Sequence, residues 1–324
     1  MNAISMQEAI NTVLHEEMER DRSIIYFGED VQCGGTFGAA NGLFEKFGEE
    51  RVFDTPISES TICGAALGMA LMGLRPIVEL GFADFFSVAF DEIYNKLGKW
   101  RWMHGGIFDV PVTIRLPIGI AGGAGPEHSQ SPQALFLHSQ GLYVVIPSTP
   151  YDARGLLKTA IRDPNPVLFF EHKVLYNMKD VVPEEDYTIP FGKAHIKQEG
   201  EDITIVCTAL QVHTSLSAAK ALQRENISVE VIDPRTLIPL DKETILNSVK
   251  KTGKLIIVHE EPKRGGTGAE LAAILAEEAL FDLEAPIVRI GGPDVPIAQN
   301  IHLENCYRPS EKQIIEKAKE LMKY

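Results

Sequence analysis

Short, mostly apolar runs that alternate with helical patterns constrain this chain more than any other feature. Residues 24–27, 75–80, 110–116, 144–147 and 167–171 are runs of this kind, each bounded by turn-forming residues. Helical patterns lie between them. Ser5-Met6-Gln7-Glu8 is a capping box, and it opens an amphipathic helix whose apolar positions Ile10, Val13 and Leu14 recur at helical spacing. Further helices are expected over 43–47, 61–70, 88–102 and 151–162. After a polar, proline-punctuated stretch the alternation resumes, with strands near 202–208, 229–232, 254–260 and 287–290 and helices between and after them. The pattern predicts an α/β protein with two open, mostly parallel sheets and flanking helices. A length of 324 residues agrees with two domains. They are expected at 1–180 and 198–324, joined by a linker at 181–197.

Composition narrows the function classes. A net charge of -14 argues against a general nucleic-acid surface. No apolar run approaches a membrane span, and the first residues lack a charged-then-apolar signal pattern, so a cytoplasmic location is expected. Cys33, Cys63, Cys207 and Cys306 are scattered without CxxC spacing. They suggest neither a zinc site nor a disulfide framework, and fit a reducing compartment.

Several stretches carry more chemistry than a core needs. Val52 and Phe53 end a strand, Pro56 biases Thr55 toward an extended conformation, and Glu59 arrives where the chain turns into Thr61-Ile62-Cys63-Gly64-Ala65-Ala66-Leu67-Gly68-Met69-Ala70. That helix is apolar almost all round and so buried. A carboxylate at its mouth is costly without a partner or a task. On position alone, the plain reading is that Glu59 caps its own helix. Gly28-Glu29-Asp30 follows a strand, where open α/β sheets place ligands, or is simply an acidic turn. Phe82-Ala83-Asp84-Phe85-Phe86 is the kind of aromatic cluster that usually packs a core. The glycine-rich segment 119–125 matches neither GxGxxG nor GxxxxGK[ST], and serves backbone freedom. His128 precedes a helical pattern that runs to Leu137, the place of a surface or capping group. Asp163-Pro164-Asn165-Pro166 stops a helix and reads as a plain C-terminal turn with unpaired carbonyls. Gly265-Gly266-Thr267-Gly268 fails the dinucleotide fingerprint, and His213, His259 and His302 read as structural or surface groups.

Three stretches occur together in one family. Asp54-Thr55-Pro56-Ile57-Ser58-Glu59, Gly73-Leu74-Arg75-Pro76 and His128-Ser129-Gln130-Ser131, in this order, closely resemble the beta subunit of thiamine-diphosphate-dependent 2-oxoacid dehydrogenases. These are the first components of the pyruvate, branched-chain 2-oxoacid and acetoin dehydrogenase complexes. The resemblance runs from Ser5 to the last helix. It implies a thiamine-diphosphate-binding pyrimidine-type domain followed by a transketolase C-terminal-like domain that binds no cofactor and serves assembly. It assigns Glu59 to the aminopyrimidine ring of the cofactor and places Glu29 nearby. Phe85 would stack on the pyrimidine, an interaction worth about 0.5–1.5 kcal/mol beyond burial. His128 would face the channel used by the lipoyl arm, where a group that exchanges protons near neutral pH suits acyl handover. Carbonyls of Val112, Ala160 and Ile161, with groups of Asp163 and Asn165, would coordinate a structural potassium ion.

The chain also lacks something. Single-chain thiamine enzymes hold magnesium and the diphosphate with Gly-Asp-Gly and a later asparagine, and no Gly-Asp-Gly occurs here. Thiamine diphosphate would therefore be shared with an alpha subunit that holds Mg2+, in an assembly of two alpha and two beta chains. The implied partners are that subunit, a lipoyl-bearing acyltransferase and a small 2-oxoacid or acetoin, with no nucleic acid and no membrane. Val88 and Gly81 stand where the pyruvate type carries glutamine and methionine. Phe82-Ala83-Asp84 looks like the branched-chain type, although that type has tyrosine in place of Phe85. The substrate stays open among the three. The competing readings are a non-catalytic scaffold that keeps the fold and a single-chain transketolase-like enzyme.

Overall fold

The computed structural model describes residues 3–324. Strand β1 (Ala3–Ser5) leads into helix α1 (Met6–Arg20), and the capping box forms as its residues require. The Ser5 hydroxyl accepts from the Glu8 amide at 3.1 Å, and the Glu8 carboxylate accepts from the Ser5 amide at 2.7 Å. Then come β2 (Ile24–Gly28), α2 (Leu43–Phe47), β3 (Val52–Asp54), α3 (Glu59–Leu71), β4 (Arg75–Glu79), α4 (Gly98–Met103), β5 (Thr113–Ile118), β6 (Tyr143–Val145), α5 (Pro150–Arg162), β7 (Val167–His172) and β8 (Lys179–Val181). The chain through Ile118 and the segment Phe136–Phe191 pack as one unit, and Gly119–Leu135 packs with Gly192–Tyr324 as a second.

In the first unit the strands lie in the order β6-β7-β5-β4-β2-β3, every neighbouring pair parallel. Strands β5 and β7 are buried along their whole length, as expected for a sheet covered on both faces. β1 lies apart from this sheet and pairs antiparallel with β8, Ala3 opposite Val181. The strand order reverses at β2, because the chain moves to one side of it to make β3 and to the other to make β4. Such a reversal opens a crevice beyond the C-terminal ends of the strands, where ligands bind in sheets of this type.

Four charged or phenolic side chains from adjacent strands meet inside this unit. Arg115 donates through Nε and Nη2 to the two oxygens of Glu171, at 2.8 and 2.7 Å. Its Nη1 bonds to Glu79 and to the Tyr26 hydroxyl. The Tyr176 hydroxyl donates to Glu171 at 2.7 Å. Arg115, Glu79 and Glu171 are at most 2% exposed, a placement only mutual pairing makes tolerable. Burial above all pushes the phenols of Tyr26 and Tyr176 well above their ordinary values, so both stay neutral donors.

The second unit holds β9 (His195–Gln198), β10 (Ile203–Cys207), α6 (Leu210–Gln223), β11 (Val229–Asp233), β12 (Thr236–Ile238), α7 (Lys242–Thr252), β13 (Leu255–Pro262), α8 (Thr267–Glu278), β14 (Val288–Gly292), α9 (Ile301–Tyr307) and α10 (Glu311–Leu321). Its sheet order is β14-β13-β10-β11-β9, parallel except for β9, which runs antiparallel to β11. Ile203, Ile205, Val229, Val231, Ile256 and Val258 form the core of one face, closed by α6 and α10.

Three expectations change in detail. The helix expected over 88–102 carries a π-helical stretch (Glu92–Leu97) ahead of α4, and a 3-10 turn (Ala83–Ser87) precedes it. The helix expected after Pro132 and running through Leu137 is a 3-10 turn, Gln133–His138. Within the polar stretch between the two sheets, Lys179–Val181 is strand β8 and His195–Gln198 is strand β9.

Candidate active site

Glu29, Glu59 and Phe85 each follow the C-terminal end of a strand, and the three strands are the neighbours at the reversal. Glu29 comes directly after β2, Glu59 follows β3, and Phe85 lies in the turn after β4. The end of β2 must come very close to β4. A Cβ added at Gly28 would collide with the backbone oxygen of Glu79, so only glycine fits. The Thr55 amide then donates to the Gly28 carbonyl at 2.9 Å, and the Asp54 carboxylate accepts from the Gln32 amide at 2.8 Å. These bonds fix the approach to α3.

Glu59 is the first residue of α3 and is 5% exposed. Ser58 is the N-cap, and its hydroxyl is engaged with Thr61 at 2.8 Å instead of a backbone amide. Glu59 does not cap the helix either. Among the described residues no hydrogen-bond donor or cation reaches its carboxylate. A nearly buried carboxylate with no partner is rare, because desolvation costs more than the helix dipole returns. The Ser60 hydroxyl donates to the Val88 carbonyl at 2.5 Å, which ties the start of α3 to the turn that carries Phe85. Phe85 is half-buried and meets Phe82 edge-on, ring centroids 5.9 Å apart.

Two further acids surround this helix. Burial, then the charges of Glu59 and Asp30, raise the Glu29 carboxyl above its ordinary value. Burial pushes the Cys63 thiol up to about 12, with the charges of Glu92 and Glu59 adding to it. Glu92 belongs to the π-helix, and a Cβ on Gly64 of α3 would come 3.4 Å from its carboxylate. The arrangement is a half-buried aromatic ring and two acids near a helix that opens on one donorless carboxylate. It suits a planar, partly cationic ring with a hydrogen-bonding edge.

His128 is half-buried in the segment Gly119–Leu135, which belongs to the second unit. The arm after it forms one wall of a cavity of about 470 Å³ with Glu260, Gly265 and Ile297. Ser129 on this arm is fully buried, and its hydroxyl has no partner among the described residues.

The groups implied for potassium are already engaged. The Val112 carbonyl accepts from the Val167 amide at 2.9 Å, and the Ala160 carbonyl accepts from the Asp163 amide at 3.4 Å. Arg75 Nη1 donates to the carbonyls of Ile161 and Asp163 at 2.6 and 2.9 Å. Asp163 Oδ1 accepts from Asn165, whose own Oδ1 accepts from Arg101 at 2.8 Å. Arg75 and Arg101 thus each donate to groups of this set. Among the described residues there is no cluster of three or more His, Cys, Asp or Glu side chains able to hold a metal.

Sequence reasoning missed the Glu79–Arg115–Glu171 network, Glu92, and the anchors of the glycine-rich segment. The first had a signal: single charges inside apolar strands, at Val78-Glu79-Leu80 and Ile114-Arg115-Leu116, are tolerable only if they pair.

Comparison with known proteins gives the class first. Residues 2–179 match the transketolase pyrimidine-binding domain, and residues 192–314 match the transketolase C-terminal domain. A solved structure described as "Split gene transketolase, inactive beta4 tetramer" superposes with a TM-score of 0.81 over 99% of each chain at 24% identity, a likeness of fold. Among curated proteins, the 2-oxoisovalerate dehydrogenase subunit beta of Bacillus subtilis is 49% identical over 91% of each chain. The pyruvate dehydrogenase E1 component subunit beta of Staphylococcus epidermidis is 45% identical over 100% of each. The acetoin:2,6-dichlorophenolindophenol oxidoreductase subunit beta of Cupriavidus necator is 44% identical over 99% of this chain and 98% of its own. The chain belongs to the family of beta subunits of the thiamine-dependent first components of 2-oxoacid and acetoin dehydrogenases. Thiamine diphosphate and an alpha subunit follow from that membership. The scaffold and single-chain readings lose their support. Among the described residues no helix is long and apolar enough to cross a membrane.

Proposed function

We propose that this chain supplies the aminopyrimidine-holding half of a thiamine diphosphate site, with Glu59 as its catalytic carboxylate. The observation that carries this is the nearly buried, donorless Glu59 at the reversal of strand order. Thiamine diphosphate, when bound, supplies a carbon acid that adds to the carbonyl of a 2-oxoacid. Glu59 would hold a proton against a ring nitrogen of the aminopyrimidine, the partner its carboxyl lacks within this chain. Phe85 would present its ring to one face of the pyrimidine. Glu29, whose carboxyl is raised by burial and by the charges of Glu59 and Asp30, would stand beside this site.

The chain lacks Gly-Asp-Gly, so Mg2+ and the diphosphate fall to the alpha subunit, in an assembly of two alpha and two beta chains. His128 would serve the handover of the acyl group to the lipoyl arm of an acyltransferase component. We place the domains at 1–180 and 198–324 with a linker at 181–197, and the protein in the cytoplasm, where Cys33 and Cys306 stay free and exposed. A structural potassium ion at Val112, Ala160, Ile161, Asp163 and Asn165 has the least support, because it competes with Arg75 and Arg101. Among substrates, the 49% identity to a 2-oxoisovalerate dehydrogenase subunit and the run Phe82-Ala83-Asp84 favour a branched-chain 2-oxoacid.

The test is reconstitution with the alpha chain. Magnesium-dependent binding of thiamine diphosphate is expected for the assembly and not for the isolated chain. Tight binding to the isolated chain overturns the shared site. Ranking 2-oxoisovalerate, pyruvate and acetoin by kcat/KM settles the substrate.

A further inference from the structure

The segment that carries His128 is held by two acids far along the chain. It leaves β5 at Gly119, whose amide donates to the Gln130 carbonyl at 3.0 Å and closes the segment on itself. The Ile120 amide donates to Glu260 Oε1 at 2.6 Å, and the Gly123 amide donates to Glu304 Oε2 at 2.7 Å. Ile120 also packs into a small apolar cluster with Ile297 and Tyr307. Gly125, at φ +81°, lies so close to Gln299 that an added Cβ would come within 3.3 Å of its side chain. The His128 amide then bonds to the Gly125 carbonyl at 3.4 Å.

The two carboxylates are unusual anchors. Glu260 is 6% exposed and Glu304 is 1% exposed, and burying a carboxylate is unfavourable unless its bonds are strong. Both bonds are short and charge-assisted, which makes them the strong kind. They act on a glycine-rich stretch that loses more conformational freedom on ordering than any other composition. Two amides three positions apart, each fixed to a rigid element, set both the place and the direction of the segment. His128 follows five residues after the second.

We infer that Glu260 and Glu304 are positioning residues for His128, so that the C-terminal unit contributes to acyl handover and not to assembly alone. This rests on the reading of His128 given above. Neither acid touches the reacting atoms. Each acts by keeping the segment in one conformation, and losing either should leave the imidazole in place for only a fraction of the time.

The test uses the full complex of both chains with the acyltransferase, carrying Glu260→Ala, Glu304→Ala and the conservative Gln variants. Hydrogen exchange should rise in peptides from 119–135 and stay unchanged in the β10 and β11 core. Overall turnover should fall about tenfold, the worth of one charge-assisted bond, and fall further than decarboxylation read with an artificial electron acceptor. Glutamine keeps an acceptor oxygen and should restore most of the loss. In a His128→Ala background, Glu260→Ala should add nothing. Additive losses in that double variant, or unchanged exchange in 119–135, overturn the inference. If the alanine chains do not fold, Glu260→Asp and Glu304→Asp, whose shorter side chains withdraw the acceptor, decide by exchange, where a rise confined to 119–135 is expected and no rise refutes it. The reading of His128 fails separately, if His128→Ala lowers both activities equally.

Discussion

Replacing Glu59 with glutamine or alanine separates two accounts of the same carboxylate, because they predict opposite signs for stability. A helix cap contributes, and its loss costs about 0.5–2 kcal/mol. Glu59 makes no capping bond, is 5% exposed and has no donor within reach. What it gains is the helix dipole, about 0.3–1 kcal/mol. What it costs is desolvation without a hydrogen bond, about 1–3 kcal/mol on the scale of protein substitutions. The charge of Glu29 adds to the cost. The balance favours removal. Glu59→Gln should therefore stabilise the isolated chain by about 1 kcal/mol, a rise of roughly 2–4 °C in Tm for a domain of this size. The same variant, assembled with its alpha chain, should lose about 10²–10⁴ in decarboxylation. Glu59→Ala should behave likewise in activity, with a smaller gain in stability from its lost packing. Thermal unfolding of the isolated chain and dye-coupled decarboxylation of the assembly read the two quantities. A Tm lowered by glutamine, with decarboxylation retained, would leave Glu59 as a cap and nothing more.

Other outcomes follow from neighbouring features. Glu171→Ala strips Arg115 of its bidentate partner and should cost about 3–5 kcal/mol, read as a lowered midpoint in urea; an unchanged midpoint refutes the account of the network. Because the Glu29 carboxyl is raised in the folded chain, the folded form binds its proton more readily than the unfolded form does. Its contribution to stability should then fall as pH rises from its ordinary value of 4.5 through the raised one, and Glu29→Gln should flatten that slope. In Glu59→Gln the Glu29 titration, followed by carboxyl NMR, should move back down without reaching the ordinary value, since burial remains the larger cause. Exchanging potassium for tetramethylammonium should leave the Tm unchanged, because Arg75 already bonds the Ile161 and Asp163 carbonyls and Arg101 the Asn165 side chain; a drop of several degrees would show that an ion is bound there.

Much of this could be read from the chain. Apolar runs gave the two sheets, since period and length decide burial before any tertiary contact is known. Ser5 and Glu8 announced α1, because a capping box is a local arrangement. Glu29, Glu59 and Phe85 each follow one of three adjoining strands, so topology puts them at the same end of the sheet. The failures share a cause as well. The π-helix at Glu92–Leu97 and the 3-10 turn at Gln133–His138 depend on packing that periodicity does not encode. The anchoring of the His128 segment could not be seen either, because nothing local links Gly119–Leu135 to Glu260 or Glu304.

That anchoring bears on the order in which the protein can be finished as it is made. The Ile120 amide waits for a partner 140 residues further on, and the Gly123 amide for one 181 residues further on. Synthesis at about 5–20 residues per second puts them many seconds apart. Through that interval the sheet from β2 to β7 has its strands, while the glycine-rich excursion between β5 and β6 has nothing to close on. The segment bearing His128 is thus set only when α9 emerges near the end of translation. A nascent chain halted before Glu304 would display Glu59 and Phe85 and still lack a fixed His128.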